Sequence, residues 1–252
     1  NADGGAAAVV TPQPLTVTGS TVAFNRTAGE DATGGGLFAG GALTLSTSTV
    51  ENNWTEGEAA RGGGAAVRTF SSNYEVTVVD STIAGNRTEG DFASGGGIWT
   101  LFGSDLIDSD VRGNRTEGAA AAGGGAYAAG PLRIEGGTVA DNRTEGGFSA
   151  GGGLWSTREI VLENAAVAGN ETLGQSSFGG GAASGGNVTI ANATLSGNVT
   201  GGEGARGGGV FAGRELTLAN ATLARNETRG PDADGGGAFG EDVIRASNST
   251  LT

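Results

Sequence analysis

Cysteine, methionine, histidine and lysine are all missing from this chain of 252 residues, and only 4 prolines interrupt it. Without Cys there is no disulfide framework and no thiolate chemistry. Without Met, a sequence that begins at Asn1 reads as processed, with a secretory leader removed. No run of 18 apolar residues occurs, so no transmembrane segment is expected. All 14 basic residues are Arg against 27 acidic ones, for a net charge of −13. A nucleic-acid partner is therefore not expected, since phosphate backbones need many Lys and Arg to displace counterions.

What the chain does have is periodicity. Asn-x-Thr triplets start at Asn25, Asn53, Asn86, Asn114, Asn142, Asn170, Asn198 and Asn226; six of the intervals are 28 residues and one is 33, with an insertion near Phe70 to Tyr74. A Gly-Gly-Gly begins nine residues after each Asn, from Gly34 to Gly235. A fixed period of this length signals a solenoid of stacked units. Within the repeat, Leu43-Thr44-Leu45 and its equivalents alternate apolar and polar, and Val50, Ile83 and Val111 form a further apolar column. Alternation at spacing two describes short strands with one buried face, and no helical period appears. The expected fold is all-β: a right-handed parallel β-helix with about 28 residues and three short strands per rung, about nine rungs in all, about 43 Å long at the strand spacing.

Val22-Ala23-Phe24-Asn25 and Gly95-Gly96-Gly97-Ile98-Trp99, repeated along the chain, resemble the paired Phe-x-x-Asn and Gly-Gly-Ala-aliphatic motifs of polymorphic outer membrane proteins and related bacterial surface β-solenoids. The resemblance covers the chain from about residue 6 onward, although all eight repeats place Val, Ile or Leu where that family has Phe. It implies surface-exposed adhesion or scaffolding and no enzymatic activity.

Several columns are candidate sites. The eight Asn read either as an internal amide ladder or as N-glycosylation acceptors, and Asn187, Asn192, Asn220 and Asn248 head four further Asn-x-Thr acceptors. Glycans are too bulky to occupy a column spaced about 4.8 Å, which favours the ladder. Aromatics follow the glycine triplets at Phe38, Trp99, Tyr127, Trp155, Phe211 and Phe239, as interior packing or as an outer ribbon for sugars or a second protomer. Thr columns such as Thr21, Thr49 and Thr82 suggest ice binding more weakly, because Asp110 and Ala166 break them. Asp80, Asp105, Asp108 and Asp110 form a weak Ca²⁺ candidate, and Glu56, Glu89, Glu117 and Glu145 read as solvated loop charge. No other metal, no cofactor and no catalytic residue is expected.

Residues 1–14 read as an N-terminal extension and open part-rung, and 15–252 as the β-helix. Val9, Val10, Leu15 and Leu251 fall in apolar columns at the open ends, where strand edges invite another chain. Head-to-tail self-stacking would then build a filament. The expected function is an extracellular structural protein, secreted or at the cell surface, forming a homopolymeric filament or surface layer with an adhesive and glycosylated surface. The alternative is a β-helix that binds or degrades polysaccharide.

Overall fold

A computed structural model describes residues 2–68 and 76–252. The chain coils as a right-handed-type parallel β-solenoid without any helix among these residues. Strands from successive turns build four sheets, with pairing parallel throughout. Sheet I runs from Ala7–Val9 to Ala238–Gly240, sheet II from Leu15–Thr18 to Val243–Ser247, and sheet III from Thr21–Ala23 to Thr250–Leu251, each with nine strands. Sheet IV, from Arg26–Ala28 to Glu227–Arg229, has eight. The 28-residue period is the pairing register itself, as in Val76 opposite Ser104, except in the first rung of sheet I, where the offset is 30 and Val9 falls opposite Ala39 instead of Leu37. Across the long interval Val76 still pairs with Leu43, so the register absorbs the five extra residues, while the insertion at Phe70 to Tyr74 lies outside the described residues.

Sheet IV corrects the expectation of three strands per rung. Its strands are the Asn-x-Thr segments themselves, and they run polar out, Thr in, polar out, as in Arg87-Thr88-Glu89. With no apolar residue facing inward there is no hydrophobic alternation to announce a strand. In sheets II and III that alternation holds, while the strands of sheet I are apolar along most of their length. Leu43 and Leu45, Val76 and Val78, and Ile160 and Leu162 point into one continuous core that extends along the solenoid axis, joined by Val50, Ile83 and Val111 from sheet III.

Left-handed corners separate the strands. Between sheets II and III the corner residue is Gly19, Thr47, Asp80, Asp108, Gly136, Asn164, Asn192, Asn220 or Asn248, with φ between 46° and 71°. Gly, Asn and Asp reach this conformation most cheaply, which accounts for that column's composition.

Candidate binding groove

The eight Asn turn out to be a ladder. Each stands where sheet III turns into sheet IV, and six of the eight are buried. At Asn114 the side-chain Oδ1 accepts from the backbone N–H of Asn86 (3.0 Å) and from its Nδ2 (3.0 Å). The Asn114 Nδ2 donates in turn to the Ile83 carbonyl (2.9 Å) and to Asn142 Oδ1 (2.9 Å). The same pattern recurs from Asn25 to Asn226. A shorter Ser ladder, which sequence reasoning missed, runs beside it: Ser20 N–H donates to Ser48 Oγ, Ser48 N–H to Ser81 Oγ and Ser81 N–H to Ser109 Oγ. The recurring Ser before Thr-Val was its signal.

The Thr two residues after each Asn also has a structural place. Thr55, Thr88, Thr116 and Thr144 are buried inward residues of sheet IV, and their hydroxyls lack partners. Thr172 and Thr200 instead donate to the Gly179 and Gly207 carbonyls (both 3.1 Å). Thr116→Val should therefore be neutral or stabilising by up to about 1 kcal/mol, because an unpaired hydroxyl leaves the interior. Thr172→Val should lower the melting temperature by comparison. Thermal denaturation of both variants decides this, and a clear loss of stability in Thr116→Val counts against it. The other acceptor triplets differ from the ladder, since Asn187, Asn192, Asn220 and Asn248 are all exposed.

The carboxylates pair off. On the outer face of sheet IV, Arg87 bonds Glu117 (2.7 Å), Arg115 bonds Glu145 (2.5 Å) and Arg26 bonds Glu56, each from one rung to the next. Glu56, Glu89 and Glu117 thus lie on strands and Glu145 directly follows one, and all four pair with Arg. Asp105 faces outward on sheet II beside Arg133, Asp110 meets Arg112 (3.3 Å), and Asp80 and Asp108 hold corners. No three such groups converge to hold a metal among the described residues. Val9 and Leu15 lie on first-rung strands of sheets I and II, Val10 just beyond its strand, and Leu251 on the last strand of sheet III.

The aromatic column faces outward. Strands of sheet I put their first and third residues into the core and their central residue outside, as Leu37, Phe38 and Ala39 show. The rings stack along the solenoid axis, with Trp99 and Tyr127 centroids 6.1 Å apart and Phe211 and Phe239 5.7 Å apart. Where Ala66 and Ala183 interrupt the column, neighbouring side chains fill in. Arg61 lies over Trp99 (5.1 Å), and Phe178 packs against Phe211 (4.8 Å).

Among the described residues one stretch is left open. Beyond the corner that precedes sheet I, successive rungs carry Asp31, Ala59, Phe92, Ala120, Phe148, Ser176, Gly204 and Asp232. Phe92 and Phe148 are exposed (59% and 64%), and both have a φ of 60°. An exposed ring in a left-handed conformation is costly twice over, through solvation and through backbone strain. Small or polar residues serve elsewhere in the column, so fold stability does not require Phe at either position. Between the two rings Ala120 leaves a slot of two rung spacings, about 9.6 Å. Tyr127 and Ala122 form its floor, and Leu101, Ala129 and Thr157 its far wall, in a trench of about 540 Å³. Burial holds the Tyr127 phenol above its ordinary value, with Arg61 opposing, so the hydroxyl remains a neutral hydrogen-bonding group at neutral pH. Phe24 is also exposed and left-handed, but it stands alone in its own column.

No protein-family model, curated protein or solved structure matches this chain.

Proposed function

We propose that the protein is a rigid extracellular scaffold of the bacterial cell-surface kind, and that it binds glycan chains in the trench over sheet I. The resemblance to outer-membrane surface repeats supports the setting. The observation that carries the binding role is the pair Phe92 and Phe148, exposed and strained two rungs apart over the Tyr127 floor. A pyranose ring entering the slot would lie about 4.8 Å from each Phe, within the range over which rings pack favourably. The trench is open along the axis and borders two further hollows, which suits a linear chain better than a compact metabolite. A periodic, rigid surface also presents a polymer with contacts that need no reordering of the protein.

The test is binding of the wild-type chain to a panel of immobilised oligosaccharides, beside the double variant Phe92→Ala and Phe148→Ala. The variant is expected to lose roughly tenfold or more in affinity, from two ring contacts. It should melt no lower than wild type, since Ala59 and Ala120 already occupy equivalent positions. Unchanged affinity in the variant, or no saccharide bound by wild type, would refute the reading.

A further inference from the structure

The trench does not end at its apolar slot. It shares Leu101 and Ala129 with a neighbouring hollow of about 270 Å³, which shares Pro131 and Arg158 with a polar pocket of about 410 Å³. That pocket lies at the corner between sheets I and II. Arg158 and Arg214 stand there two rungs apart, with Gly185 and Gly186 between them and Asn187 and Glu159 beside them. The glycines keep the space open, and a Cβ on Gly186 would fall 1.7 Å from the Arg158 carbonyl oxygen.

The charges at this corner are out of keeping with the rest of the surface. Ten of the 14 arginines reach a carboxylate, among them Arg87, Arg115 and Arg133, whereas Arg158 and Arg214, like Arg68 and Arg225, do not among the described residues, and only the first two stand together in one pocket. Among the residues lining the pocket two guanidiniums face the single carboxylate of Glu159, and Asp242 follows one rung beyond Arg214, in a chain whose total is −13. Forked guanidinium donors so nearly balanced by carboxylates suit one carboxylate at a time better than a dianionic phosphate or a densely sulfated chain. The Asn187 Oδ1 accepts from the Glu215 N–H (3.3 Å), which turns its amide nitrogen toward donation.

We propose that the Arg158–Arg214 corner is a carboxylate subsite of the same trench, so that the glycan is acidic and built of uronic acid units. This rests on the glycan reading above. A sugar ring between Phe92 and Phe148 would be read by its faces, and a carboxylate further along the chain by the two guanidiniums.

The test uses the full chain with hexamers of galacturonate, mannuronate and glucuronate, each beside its methyl ester, titrated by Trp fluorescence or calorimetry. The ester is the same chain without the charge. Wild type is expected to prefer at least one acid over its ester by about tenfold, and the preference should shrink as salt rises. The pair Arg158→Gln and Arg214→Gln should bring the acid down to the ester's affinity and leave the ester unchanged, whereas Phe92→Ala with Phe148→Ala should weaken both. Equal binding of acid and ester by wild type, or an acid preference that survives in the Gln variant, overturns the carboxylate subsite and leaves the glycan reading standing. If wild type binds none of the acids, the subsite falls; if it also binds nothing on the wider panel, the glycan reading falls with it.

Discussion

Gly124→Val is expected to disrupt the middle of the solenoid, with a loss of about 3 kcal/mol or more and a melting temperature well below wild type. A Cβ at Gly124 would lie 2.3 Å from the Gly152 carbonyl oxygen of the next rung and 2.6 Å from the Arg143 carbonyl oxygen. Both obstacles are backbone, held by the ladder above and beside them, so no side-chain rotation relieves the clash. The matched control is Ala122→Val two residues earlier. Ala122 is largely covered but lines the outer trench, with side chains and not backbone of the next rung as its neighbours on that side, so Val there should cost about 1 kcal/mol or less. Thermal or urea denaturation of the two variants gives the comparison. Equal stabilities would mean that the glycine triplets are merely flexible connectors, contrary to the packing described.

Asn114→Ala should be the other severe change. Asn114 is 0% exposed, and its amide serves four partners: the N–H and Nδ2 of Asn86, the Ile83 carbonyl and Asn142 Oδ1. Truncation leaves the Asn86 N–H and the Ile83 carbonyl without those partners, at about 1–3 kcal/mol for each buried group orphaned. The Gly97 backbone of the same rung as Asn86 packs against the Asn114 amide, where a Cβ would come within 3.1 Å of its Cγ. The glycine triplets and the Asn column therefore recur in lockstep because they are two sides of one contact. Melting that barely changes on Asn114→Ala, together with a loss of glycan mass from the native protein, would overturn the ladder.

Both changes act locally, because each rung of a solenoid touches only its neighbours. The Phe92, Phe148, Arg158 and Arg214 variants should accordingly leave the rungs behind them intact, and their effects on binding can be read without a confounding loss of fold.

Much of this architecture was legible in one dimension. The period is legible because parallel in-register stacking demands like residues at like positions, and Leu15, Leu43 and Val76 repeat for that reason. Sheets II and III were readable because their strands switch between apolar and polar at spacing two, and sheet I because its apolar segments follow each glycine triplet at the same period. Sheet IV was not, because Thr88 and Thr116 are polar residues facing inward beside Arg and Glu facing outward. The same fact resolves an ambiguity in the Asn-x-Thr triplets. A sequence cannot separate a Thr selected as part of a glycan acceptor from one that fills the interior beside an amide ladder.

The repeat, the β-solenoid class, the Asn column and the glycine triplets are all written in the order of residues, because each is a short-range pattern multiplied by stacking. Packing in three dimensions was needed to set which way the aromatic column faces, since a ring at the centre of a three-residue strand is inward or outward according to which neighbours the core takes. It alone brought Phe92 and Phe148 to either side of Ala120, and Arg158 and Arg214 to either side of Gly186. Residues 56 apart in the chain become next-but-one neighbours when each turn of 28 advances the axis by a single strand spacing.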